Sequence, residues 1–436
     1  MEDFAGSAVP ERAQPEDPRR VAWTQRPGTG RTDEAGCDLS ALTGIRVVEI
    51  SDQFTAVGGR LLAELGAEVI VVEPPEGSIH RSRPPFVLDA PEPEASLRWW
   101  SGNVGKRSVT IALDTDVHVL WHLIATADII ISGADHAPGD KRGGPQIWVV
   151  VSPFGLNSER PNDPVTDLTM LAGGGPVWNC GYDDHSLPPI RGAGDQSANL
   201  GGLYCAIGAL VALAHRDRTG EGQLVDVNVN AVCNVSSEQV TYHWLVNNET
   251  CFRQTGRHAY FTPSQPTQVR CADGAYASTG VLPRKPQEFG NLIAWLNDLG
   301  LAEELPEVVF LELAASRDAP VDIALIGADD ETTAILTAAR DAITLVASRL
   351  PAKDYFLESQ RRGFPAGAVL SPDEAFEDEH VAARRFRVPV SHPELGETFA
   401  YPGTPYVFSS GPTAPPSRPP LLGEHNHLLS DLLDDQ

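Results

Sequence analysis

The sequence predicts an α/β protein built on a doubly wound parallel sheet. Two apolar runs, RVVEI at 46–50 and VIVV at 69–72, flank a stretch with apolar residues at Leu61, Leu62 and Leu65, which outlines strand, helix and strand. The alternation continues: KRSVTIAL at 106–113, a helical pattern near 116–126, and strands at 128–131 and 147–151. Sequential βαβ units of this kind are right-handed and bind ligands outside the carboxyl ends of their strands. The turn after the first strand, SDQFTAVGGR, places Gly58 and Gly59 side by side. A nicotinamide or flavin site would need G-x-G-x-x-G there, so that class of cofactor is not expected.

After the fifth strand comes a short helix from Asp167 to about Leu171, closed by Gly173, Gly174 and Gly175. A long helix follows over 197–215, apolar at Leu200, Leu203, Ile207, Leu210, Val211 and Ala214, with Gly220 placed to end it in a left-handed conformation. QLVDVNVNA then alternates Val225, Val227 and Val229 with Asp226, Asn228 and Asn230, the pattern of a half-exposed strand. Residues 39–246 therefore read as the first part of a large domain. Residues 247–266 hold turn formers without a period and read as a linker. A smaller α+β unit is expected over 267–370, with the hairpin VRCADGAYAS and helices near 286–299 and 332–348. Residues 371–436 read as a return to the large domain. Residues 1–38, rich in Pro, Gly, Arg and acids, read as a flexible extension.

Composition removes several functional classes. The chain of 436 residues carries 33 Lys plus Arg against 59 Asp plus Glu, a net charge of −26, so neither nucleic acid nor an anionic membrane is an expected partner. An anionic substrate would need local basic groups. Cysteines at 37, 180, 205, 233, 251 and 271 form no C-x-x-C pair and no zinc-ligand spacing, so no structural metal or disulfide framework is expected. The charged opening MEDFAGSAVPERAQPEDPRR lacks the apolar core of a signal peptide, which makes a cytoplasmic location the expectation. The apolar stretch at 203–214 falls short of the roughly 18 residues of a membrane span, and reads as a buried helix.

Eight strings carry a resemblance: LTGIRVVEI, LLAELGAEVIVVEPPEG, GKRSVTIALD, DLTMLAGG, GGLYCAIGALVALAHRDRTGEGQLVDVNV, FPAGAVLSPDEAFEDEH, SHPELGE and PLLGEH. In this order they resemble the class III coenzyme A transferases, a family that also includes 2-methylacyl-CoA racemases. The resemblance implies a Rossmann-like large domain formed by both chain ends, a smaller α+β domain and an interlocked homodimer. It implies acyl-CoA and carboxylic acids as substrates, with coenzyme A itself a substrate and no metal.

For a transferase the resemblance implies an aspartate that attacks an acyl-CoA thioester, passing through an anhydride to an aspartyl-CoA thioester. An aspartate suits this because it is ionised at neutral pH without a general base. Glycine amides at 173–175 and 192–194 are candidates for holding the oxyanion. Two aspartates compete for the nucleophile. The transferase pattern D-x-x-x-G-L-Y falls on Ala198, with Asp195 one helical turn earlier; the racemase pattern G-H-D-I falls on Asp167, with Thr166 in place of the histidine. Either acid could instead be a helix cap. The cofactor-binding candidates are Lys106 and Arg107, and Gly133 and Ala134, which replace the family's Asn and Phe. Asp114 stands where the family has a second lysine, a charge that would repel coenzyme A. Three functions remain open at this level: transfer of CoA between carboxylic acids, racemisation by α-proton exchange, or a repurposed protein that no longer uses CoA.

Overall fold

The computed structural model describes residues 40–87, 92–138, 144–160, 163–280 and 282–434; the extension expected at 1–38 lies outside them. Six strands form one parallel sheet: β1 (Arg46–Ile50), β2 (Glu68–Glu73), β3 (Arg107–Thr110), β4 (Ile129–Ser132), β5 (Ile147–Ser152) and β6 (Leu224–Asn228). Their spatial order is β3-β2-β1-β4-β5-β6. The order reverses between β1 and β4, and in such a sheet the crevice outside their carboxyl ends is where ligands bind. The central strands are runs of valine and isoleucine because both faces are covered. Val47, Val69, Ile129 and Val149 point into one core, and Val48, Ile70, Ile130 and Val150 into the other.

On the first face lie α1 (Ala56–Glu64), α4 (Asp167–Gly174) and α5 (Gln196–Thr219), whose residues Leu62, Leu171 and Cys205 share the core with those strands. Of the intervening helices, α2 (Leu97–Asn103) packs beside α1, while α3 (Val117–Ala125) covers the second face. The paired glycines of α1 make a close contact possible. A Cβ on Gly58 would lie 2.7 Å from Cys205 Sγ, and one on Gly202 would lie 2.5 Å from Val57 Cβ. Helices α1 and α5 thus meet almost backbone to backbone. At Gly59 a Cβ would lie 1.9 Å from Glu49 Oε2. The pair Gly58-Gly59 is a packing device rather than a phosphate cradle.

Two readings of this region change. Helix α5 runs 24 residues and is long and apolar enough, by length and composition, to cross a membrane, which the shorter sequence reading missed. It is buried on one face only: Cys205, Ala206, Ala209 and Ala212 are inside, while Leu203, Tyr204, Ile207 and Val211 are exposed. The alternation of QLVDVNVNA also stops early. Asn228 accepts a hydrogen bond from Ala231 N, which caps a new helix, α6 (Val229–Val235), so Val229 and Asn230 are helical.

Helix α7 (Glu238–Asn247) follows, and then the stretch expected as an unstructured linker forms a hairpin of β7 (Phe252–Gln254) and β8 (Arg257–Tyr260). Strands of three and four residues are too short to show a period. A second core is built from residues 269–364. Strands β9 (Gln268–Arg270) and β10 (Tyr276–Ser278) pair as the expected hairpin, and helices α8 (Pro286–Asp298), α9 (Val308–Ala315), α10 (Asp330–Ala347) and α11 (Ala352–Arg361) pack around Phe289, Trp295 and Ile335. β11 (Gly367–Ala368) completes that small sheet.

Short helices α12 (Pro372–Glu377) and α13 (Glu379–Ala383) lead to an antiparallel pair, β12 (Arg387–His392) and β13 (Glu397–Pro402). His392 stacks on Trp100 with ring centroids 4.1 Å apart, and bonds Glu394 and Tyr401. The last segment, ending in α14 (His427–Asp434), docks on the edge of the main sheet. Its anchor is a buried pair: Arg81 donates to both oxygens of Glu73 at 2.7 and 2.9 Å, and to Pro420 O at 3.1 Å. Ser108 Oγ donates to Glu73 and accepts from Gly423 N.

A second buried pair lies under α1. Lys106 donates to Glu49 Oε2 at 2.6 Å, Ala56 O at 2.8 Å and Asn103 Oδ1 at 2.9 Å. Burial pulls its pKa down, but all three ammonium donors are matched. Removing one member of such a pair strands the other charge in the core. Lys106→Met is therefore expected to destabilise the protein by about 3–5 kcal/mol, measured as a lower urea midpoint at unchanged slope.

Candidate active site

The site grows from the amino end of α5. Helix ends leave unpaired N–H groups that attract negative charge. The carboxylate that meets them comes from thirty residues away: Asp167 Oδ1 accepts from Ser197 N at 2.7 Å and from Ser197 Oγ at 2.8 Å. Asp167 is itself the first residue of α4, whose own cap is Thr166 in a reciprocal capping box with Thr169. Its second oxygen pairs with Arg191, which also donates to Gly194 O at 2.7 Å. Asp167 is thus a cap, but of α5, joining two helices.

Asp195 precedes α5, yet its side chain makes no cap bond. It is half-exposed and pairs with Arg98 of α2 through Oδ2. No hydrogen bond to Oδ1 exists among the described residues. The local-cap reading of Asp195 does not hold, because Asp167 already serves that helix end.

Both acids line one cleft of about 270 Å³, together with Gln53, His80, Arg83, Val165, Thr166, Ser197 and Ala198. Gln53 comes from the turn after β1, at the carboxyl end of the sheet. His80 Nε2 lies 3.1 Å from Asp52 O. Burial holds its pKa below the usual imidazole value, so near neutral pH it faces the cleft uncharged. Arg83 is half-buried and has neither a hydrogen bond nor an ion pair from its guanidinium among the described residues.

The residues expected to hold coenzyme A do not gather here. Lys106, expected to supply positive charge for coenzyme A, is inside the protein with every donor matched by Glu49, Ala56 and Asn103. Arg107 is on the surface beside Glu68 Oε1 at 2.5 Å. Gly133 backs onto Asp52, where an added Cβ would lie 2.9 Å from Oδ2, and Ala134 opens a single 3-10 turn. Burial raises the pKa of Asp52. Of the glycine amides, Gly174 packs on Cys233 at the end of α4, whereas Gly194 stays beside Asp195 with φ +86°.

Sequence reasoning passed over His80, Arg83, Arg98 and Arg191. They lie in no spacing pattern, and only the fold converges them.

The sequence pattern of CoA-transferase family III matches residues 42–426. The chain belongs to CoA-transferase family III. It is 27% identical over 396 residues to succinyl-CoA:(R)-benzylsuccinate CoA-transferase subunit BbsE of Thauera aromatica, covering 88% of this chain and 92% of that one. It is 28% identical over 413 residues to succinyl-CoA:mesaconate CoA-transferase of Haloarcula marismortui, covering 90% and 96%. A crystal structure of a CAIB/BAIF family protein from Brucella suis superposes with a TM-score of 0.70 at 22% identity, over 91% of this chain and all of that one, a likeness of fold. The large parallel α/β sheet expected from the sequence is present, and family membership makes CoA thioesters its substrates.

The two acids should differ in what they do for the fold. Asp167→Ala removes the acceptor for two donors at the start of α5 and is expected to lower stability by about 1–2 kcal/mol. Asp195→Ala breaks only a half-exposed pair, with an expected change under about 1 kcal/mol. Urea unfolding of both variants measures the contrast.

Proposed function

We propose that this family III enzyme transfers CoA between two carboxylic acids, with Asp195 as the nucleophile. One observation carries the choice: Asp195 lines the cleft at the amino end of α5 with its Oδ1 unbonded among the described residues, while both oxygens of Asp167 are occupied. The substrates in the relatives' names, pairs of a CoA ester and an acid, support the same class of reaction.

In the proposed cycle Asp195 attacks the thioester carbon, the carbon–sulfur bond breaks, and CoA leaves as thiolate from a mixed anhydride. The thiolate then attacks the aspartyl carbonyl, releasing the donor carboxylate and leaving an aspartyl-CoA thioester. An acceptor carboxylate reverses the two steps. No proton changes hands, so neutral His80 need not act as a base. The tetrahedral oxyanion forms beside the first turn of α5, where Ala198 lines the cleft and the helix end favours negative charge. Asp167 acts as a positioning residue that fixes this turn.

The interlocked homodimer belongs to the same proposal. It is supported by the apolar side chains that one chain leaves exposed: Leu203, Tyr204, Ile207 and Val211 on α5, and Trp244, Leu245 and Val246 on α7.

The test is turnover with succinyl-CoA and a panel of acceptor acids, with mass spectrometry of the enzyme after donor alone. Asp195→Ala is expected to lose at least about a thousandfold in kcat and to carry no covalent CoA adduct. An adduct on the wild-type peptide containing Asp167 instead would move the nucleophile there. Uptake of α-deuterium from heavy water into a 2-methylacyl-CoA would point to the racemase reaction instead.

A further inference from the structure

The charges around the cleft do not cancel. Of the charged residues lining the cleft, Asp167 is matched by Arg191 and Asp195 by Arg98, which leaves Arg83 as the lining cation without an ion-pair partner among the described residues. His80 contributes no charge near neutral pH. An unmatched guanidinium beside a reaction centre, in a chain of net charge −26, is a binding group for an anion.

This inference rests on the transfer reaction proposed above. Once Asp195 is esterified by CoA its negative charge is gone, and Arg98 loses its partner. The acceptor then meets two unmatched guanidiniums rather than one, Arg98 beside the reacting aspartate and Arg83 in the lining of the same cleft. A monocarboxylate satisfies one of them; a dicarboxylate satisfies both. We infer that Arg83 is the specificity-determining residue of the acceptor site, holding the distal carboxylate of a dicarboxylic acid while the near carboxylate attacks the aspartyl-CoA thioester. Arg83 takes no part in bond making. It selects the acid by charge, and the second unmatched cation, Arg98, appears only in the half-reaction that needs the acceptor.

Succinate and butyrate, equal in carbon number and different in one carboxylate, are the probes. Asp195→Asn stands in for the neutral, esterified aspartate. Titrating full-length Asp195→Asn protein is expected to show succinate bound at least about tenfold more tightly than butyrate. Adding Arg83→Ala should abolish that preference, and Arg83→Lys should restore part of it. With Asp195 intact, Arg83→Ala should lower the succinate-to-butyrate ratio of kcat/KM about a hundredfold, with the loss in KM. Equal affinity for the two acids in the Asp195→Asn protein, or a preference that survives Arg83→Ala, overturns the assignment. The titration needs no turnover. An inactive wild-type protein would sink the transferase reading, while the fate of Arg83 would still be decided by binding.

Discussion

The site depends on how closely one helix can approach another. At the Gly58–Gly202 contact α5 lies against α1 with no side chain between them, and Cys205 fills the space that a larger residue would need. That approach fixes the height of the amino end of α5 above the sheet. It therefore fixes where Asp195 stands in the cleft lined also by Gln53 from the turn after β1 and His80 from the turn after β2. Asp167 then ties α4 to the same helix end through Ser197. A thicker α1–α5 contact would move all of these together.

Buried charge makes the second constraint. Glu49 with Lys106, and Glu73 with Arg81, pair strands β1 and β2 with buried cations whose hydrogen bonds are matched. Such pairs contribute little net stability but penalise any other arrangement, since a lone charge in the core is far more costly. The Glu73 pair brings residues from the far end of the chain, Pro420 and Gly423, onto β3 by way of Arg81 and Ser108. Lys106, which the sequence offers as a coenzyme A-binding candidate, is held here by Glu49 inside the protein. A basic residue before a strand reads the same whether it turns outward to a ligand or inward to a glutamate.

Much of the sheet was legible because it is regular. Runs such as EVIVVE and IWVVVS have the length and branching of doubly covered strands, and the LLAEL pattern between them fits only a helix. The failures were local and had a common cause. The hairpin β7–β8 is too short for a period, and Asn228 ends an alternating pattern by capping a helix that periodicity cannot announce. Asp195 and Asp167 were both found as acids of interest, and the structure brings them to one cleft. Their roles were not separable, because Asp167 caps a helix thirty residues further on.

What the amino-acid order determined by itself is the parallel α/β class and the family, since each rests on local periodicity or contiguous motifs; it singled out the two acids only as candidates. What only the tertiary structure decided is which charges are available. Arg98, Arg191, Lys106 and Arg83 are equivalent cations along the chain; packing gives the first three a partner each and leaves the fourth facing the cleft. Availability is a property of neighbours in space, and for these residues the neighbours come from separate elements of the fold.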